Sequence, residues 1–204
     1  MKVHLISNLA GASDESLPTL LREIGESRPD YFQVREKQLS DRSLADLVKR
    51  VRAALPPSTA ILVNGRPDVA VAAGAAGVQL PSDGLDAAQV RRHFPAPFLI
   101  GVSCHAIEEL FRAADAEADF AVLGPLYPPK SKTSTFPELG PEVLDSLDAP
   151  PLPIHALGGI DVRRLASWPL ERRRKVAGVA GISLMSAGPG AIAALRAIPG
   201  AMDS

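Results

Sequence analysis

The chain has 204 residues, 46% hydrophobic and 22% charged, the mixture expected of a globular protein with one sizeable core. Its 22 lysines and arginines stand against 23 aspartates and glutamates, so no bulk basic field exists to hold a nucleic-acid backbone. The one cysteine, Cys104, excludes an intramolecular disulfide and a cysteine-built zinc site.

The first residues, 1–7, lack the long apolar run and small-residue cleavage site of a signal peptide. No stretch approaches the ~18 consecutive apolar residues of a membrane span. The expectation is a cytoplasmic protein with neither a membrane nor a nucleic-acid partner.

In chain order, short apolar runs predict strands at 3–6, 31–34, 60–63, 77–80, 98–102, 120–123, 154–157 and 179–184. Helical spacing fills the intervals. Over 40–55, Ser40 suits the cap, and Leu44, Leu47, Val48 and Val51 form an i, i+3, i+4, i+7 stripe. Segments 106–116 and 188–198 read as helices with less contrast, and 67–73 starts on Pro67 and stops before Gly74. About 25 residues per unit and strands apolar throughout point to parallel strands covered on both faces. The predicted architecture is an α/β fold, a (β/α)8 TIM barrel, with one domain over residues 1–204. An open doubly wound sheet is the rival, but no G-x-G-x-x-G follows the first strand.

In such a barrel, the residues just after each strand gather at one mouth. Those positions hold Arg35, Glu36 and Lys37; Asn64 and Gly65; Pro81, Ser82 and Asp83; Ser103, Cys104 and His105; then the loop to Lys132, Gly158-Gly159, Ser183 and Ser186. Glycines after the seventh strand and hydroxyls after the eighth suit a phosphate pocket, with Arg35 and Lys37 adding positive charge. The competing reading is that Gly158-Gly159 only makes a tight turn. His105 is the natural acid–base candidate, because an imidazole gives and takes protons near neutral pH. It would otherwise only pack or cap the next helix. Cys104 lacks an activating partner, and His4 and His155 sit inside strands as core or lining residues. His93 suits a helix C-terminus, and the basic run Glu171–Lys175 suits a solvated helix face rather than a binding patch.

Six segments carry a resemblance. Gln33-Val34-Arg35-Glu36-Lys37 resembles the Q-x-R-E-K signature of the thiamine phosphate synthase/TenI superfamily. Gly77–Ser82, Gly101–His105, Ala118–Pro128, Ala156–Ile160 and Gly181–Ser186 follow in the family order, so the resemblance spans nearly the whole chain. It implies a barrel that handles a phosphorylated thiazole, with Arg35, Lys37, Asn64, Ser103, Ser131, Lys132, Gly158, Gly159, Ser183 and Ser186 as substrate or phosphate contacts. A homo-oligomer stays open.

The family contains two activities. The synthase joins a pyrimidine diphosphate to thiazole phosphate with Mg2+; the TenI-type tautomerase isomerises carboxythiazole phosphate to its aromatic form and needs no cofactor. Synthases resemble Asn-Asp after the third strand and G-x-E-D after the fourth, which supply two magnesium carboxylates. Here Gly65 follows Asn64, and Asp83 lies in a segment one residue short, so Asp83 is the metal candidate carried forward, with Asp68 the other carboxylate that could compensate. After the sixth strand, Ser131 and Lys132 remain of the synthase P-T-x-T-K pattern. The 78–82 segment resembles the TenI branch. Tautomerisation with His105 as acid–base is therefore the leading expectation, the synthase the alternative, and a non-catalytic thiazole-phosphate binder a third.

Overall fold

The computed structural model describes residues 1–9, 12–128 and 136–200. Eight parallel strands, β1 (Lys2–Ile6), β2 (Tyr31–Val34), β3 (Ala60–Asn64), β4 (Gly77–Leu80), β5 (Leu99–Cys104), β6 (Phe120–Leu123), β7 (Ile154–Leu157) and β8 (Gly178–Gly181), close into a barrel in chain order. Closure pairs Lys2 with Gly178 and Leu5 with Gly181.

Around the strands run α1 (Leu17–Glu26), α2 (Asp41–Ala54), α3 (Pro67–Ala72), α4 (Ala87–His93), α5 (Ile107–Asp115), α6 (Val162–Ala166), α7 (Leu170–Arg173) and α8 (Gly188–Ala197). Ser40 caps α2 by accepting from Ser43 N–H, and Leu44, Leu47, Val48 and Val51 are its buried stripe. The regular alternation predicted from the apolar runs fails between β6 and β7, and two short helices, α6 and α7, fill the interval between β7 and β8. The described residues between β6 and β7 form a 3-10 turn, Pro141–Ser146, because prolines at 137, 141, 150, 151 and 153 deny a helix its interior hydrogen bonds. The expected strand 179–184 stops at Gly181, and Ser183–Ser186 coil into a 3-10 turn that returns Leu184 to the core.

Alternation along the strands splits the buried residues between two sides. Val3, Leu5, Phe32, Val34, Ile61 and Val63 join the outer core beneath the helices. Ile6, Leu62, Phe120, Val122 and Ala180 form a separate cluster with Tyr31, Leu99 and Leu157 inside the barrel. His4 and His155 are buried there, with their Nδ1 atoms 3.3 Å apart and Phe120 stacked on His155. Burial depresses both imidazoles: His155 falls to about 4, and His4 falls as well, with His155 adding to the effect. Gly101 fits only as glycine, since a Cβ would lie 2.3 Å from Gln79 Oε1 and 2.4 Å from the Phe120 ring.

Candidate functional site

The interior changes character toward the carboxyl ends of β2–β5. Gln33, Asn64, Gln79 and Ser103 there form two pairs: Gln33 Nε2 donates to Asn64 Oδ1 at 2.9 Å, and Gln79 Nε2 to Ser103 Oγ at 3.1 Å. Strand β5 runs two residues beyond its predicted end, so Ser103 is a strand residue rather than a loop residue. Gln33 and Gln79 are almost fully buried. Gln33 was legible within its signature, but nothing in the apolar run around Gln79 marked it as a partner of Ser103.

At the β2 tip, Arg35 is half-buried and Lys37 exposed. Between them Glu36 turns inward, where Oε1 accepts from Ser7 Oγ at 2.5 Å and Leu9 N–H at 2.9 Å. Ser7 Oγ in turn accepts from Arg35 N–H at 2.8 Å. Glu36 therefore clamps the β1 loop onto the β2 tip, which is what the short Arg35-Glu36-Lys37 spacing buys. Cys104 is buried and its thiol is pushed up to about 12, chiefly by burial, so it holds no thiolate at neutral pH.

His105 leaves the β5 tip with its ring fixed on two sides. Its Nδ1 bonds the carbonyl oxygen of Gly124, and Phe136 stacks on it with centroids 3.6 Å apart. A carbonyl oxygen only accepts, so the proton sits on Nδ1 and Nε2 is the basic nitrogen. His105 N–H donates to Glu109 Oε2 at 2.5 Å.

Gly124 and Pro125, joined by a cis bond, connect His105 to the β7 tip. A Cβ on Gly158 would lie 2.8 Å from Pro125 and 2.9 Å from Leu126 N, so the two loops touch backbone to backbone. Gly158 and Gly159 both have positive φ, +102° and +63°. None of the N–H groups of Gly158, Gly159 and Ile160 donates to a described residue. Consecutive unspent N–H groups of this kind can receive an anion. Ser183 and Ser186 line a groove of about 530 Å³ with Asn8, Leu20, Ile24 and Ile192, and Ser186 Oγ donates to the Ser183 carbonyl. Ser131 and Lys132 lie outside the described residues.

The carboxylates near the β3 and β4 tips do not make a magnesium set. Asp83 is exposed with no hydrogen bond to a described residue, and Asp68 and Asp41 are both held by Arg66. The guanidinium beside each keeps both below the usual carboxylate range. Asn64 Oδ1 already accepts from Gln33. No three His, Cys, Asp or Glu residues group around a possible metal position among the described residues. Magnesium wants oxygen ligands in near-octahedral array, and one isolated carboxylate does not fit that demand.

Polar side chains and unspent backbone donors at the carboxyl ends of a closed parallel barrel define a barrel enzyme working on a small molecule at that mouth. The chain belongs to the family described as thiamine monophosphate synthase, which matches residues 3–187, and it is an enzyme of thiamine biosynthesis. The thiamine-phosphate synthase of Albidiferax ferrireducens is 30% identical over 189 residues, 92% of this chain and 84% of that one. That of Methanoculleus marisnigri is 35% identical over 160 residues, 78% of this chain and 73% of that one. Among solved structures, a thiamine phosphate pyrophosphorylase from Pyrococcus furiosus superposes with a TM-score of 0.78 at 26% identity, covering 97% of this chain and 94% of that one. No helix among the described residues is long and apolar enough to cross a membrane.

Proposed function

We propose that the protein is a thiamine phosphate synthase, which joins a pyrimidine diphosphate to thiazole phosphate and releases diphosphate. The observation that carries this reading is the family match over nearly the whole chain, together with relatives named for that activity. It reverses the order in which the sequence ranks the two activities. The N–H groups of Gly158, Gly159 and Ile160 hold the thiazole phosphate. Arg35, Lys37 and Ser103 face the diphosphate, whose negative charge grows as it departs, and pre-placed donors and cations lower the barrier of such a step.

Isomerisation of carboxythiazole phosphate is a second reading, and two observations favour it. Among the described residues no three metal-ligating side chains group near the β3 and β4 tips, and the Gly124 carbonyl engages His105 Nδ1, which leaves Nε2 as the basic nitrogen of a ring fixed on two sides. The same anion contacts serve either reaction, because both substrates carry the thiazole phosphate. Turnover of purified protein decides between them. Thiamine phosphate formed from the two synthase substrates supports condensation; isomerisation without it replaces that reading; thiazole-phosphate binding with neither product leaves a carrier.

A further inference from the structure

One side chain ties the β6 and β7 tips together. Arg164, in α6, donates through Nη1 to the Gly159 carbonyl at 2.5 Å, and its guanidinium carbon lies 4.5 Å above the Tyr127 ring. The Tyr127 hydroxyl accepts from the indole N–H of Trp168 at 2.7 Å. Arg164 is half-buried, and no described carboxylate forms an ion pair with it. Among the described residues Asp161 accepts only from the Arg164 backbone N–H. A guanidinium held by a carbonyl and a ring, with no described carboxylate paired to it, stands directly beside the glycine pair.

We propose that Arg164 is a positioning residue for the phosphate end, an inference that rests on the anion-binding reading of residues 158–160. A trans peptide is planar, so a carbonyl and the N–H that follows it point in opposite directions. Pinning the Gly159 oxygen to Arg164 therefore aims the Ile160 N–H away from the guanidinium. Two adjacent glycines would otherwise leave this backbone free to wander. The pin removes that freedom before a ligand arrives, which is how pre-organisation raises affinity. The packing is specific to this pair: a Cβ on Gly159 would lie 2.6 Å from Arg164 Nη1 and 3.2 Å from Tyr127 Cβ. Lysine keeps the charge but has neither the planar face for Tyr127 nor the fork for a second donor.

Trp168 is the chain's one tryptophan, and Tyr127 links it to the pin, so its fluorescence can follow anion binding. The experiment titrates the full chain with inorganic phosphate at constant ionic strength, reading Trp168 emission and, in the wild type, the amide shifts of Gly159 and Ile160. Arg164→Met and Arg164→Lys should each weaken phosphate binding about tenfold, the loss of one charge-assisted hydrogen bond. Arg163→Met, which removes an equal charge from the same helix, should leave it unchanged. Calorimetric titration repeats the comparison in case the variants change the emission baseline. Wild-type affinity in Arg164→Met, or full rescue by Arg164→Lys, overturns the positioning role while the phosphate reading stands. A wild-type protein whose 158–160 amides ignore phosphate overturns both. Should Arg164→Met fail to fold, Arg164→Lys and the wild-type amide shifts still decide.

Discussion

The ring of His105 and the carbonyl of Gly124 meet across the gap between the β5 and β6 tips, and that contact fixes which imidazole nitrogen is basic. If the protein isomerises carboxythiazole phosphate, Nε2 removes a proton at one ring position and returns it at another. His105→Gln should then lower that turnover by ~10²–10⁴-fold, the usual size of general acid–base catalysis. Phosphate affinity should hold, because the proposed phosphate contacts lie on the β7 side. Undiminished isomerisation by the variant removes the acid–base role, and an equal loss of phosphate binding makes His105 a ligand contact.

Gly65→Asp should raise Mg2+-dependent diphosphate binding by restoring a carboxylate beside Asn64. The position has room, since a Cβ would lie 3.6 Å from Pro81. Its φ of +67° costs a non-glycine residue about 1 kcal/mol, so the variant should also melt slightly lower. Calorimetric titration of diphosphate with and without Mg2+ reads the gain. Equal diphosphate affinity in variant and wild type, with Mg2+ present, counts against a metal role for that position.

Cys104 should resist thiol reagents in the native protein and react at once in urea. Burial keeps it protonated, and only the thiolate is nucleophilic. Rapid native labelling would mean that the β5 tip opens far more often than its packing implies.

Acid should weaken the fold through the buried imidazoles. Each is depressed below its unfolded value near 6.5, so the unfolded chain binds more protons between that value and about pH 4. Stability therefore rises with pH across this window and falls as pH drops through it. His155 alone contributes a loss of about 3 kcal/mol by pH 4, against a partner Asp30 that opposes the shift. Urea midpoints of the wild type and of His4→Leu/His155→Phe at pH 7 and 4.5 measure it. Equal pH slopes in the two proteins would refute the assignment.

The barrel was legible because its staves are apolar on both sides, and four of the eight strands begin and end where the runs do. The glycine pair after the seventh strand was legible through its place in the barrel, and the anion role proposed for it rests on that place. What escaped was tertiary. Gln79 meets Ser103 across β4 and β5, and Glu36 reaches back to Ser7 and Leu9. Arg164 belongs to no motif and acquires its place only when α6 docks beside Tyr127. Ser183 and Ser186 read in the sequence as loop hydroxyls after the last strand; they lie in a 3-10 turn that also lines a groove with residues of α1 and α8.

The seam between the first and last staves bears on how the protein is made. β1 emerges from the ribosome first, yet one of its edges finds a partner only when residues 178–181 appear. Until then the nascent chain carries an open, apolar edge at each end of a growing sheet, the surface most prone to pairing with a neighbour. Contacts that span almost the whole chain also slow the final closure. A pause in translation before β8 would therefore lengthen the dangerous interval, whereas the same pause after Gly181 would cost little.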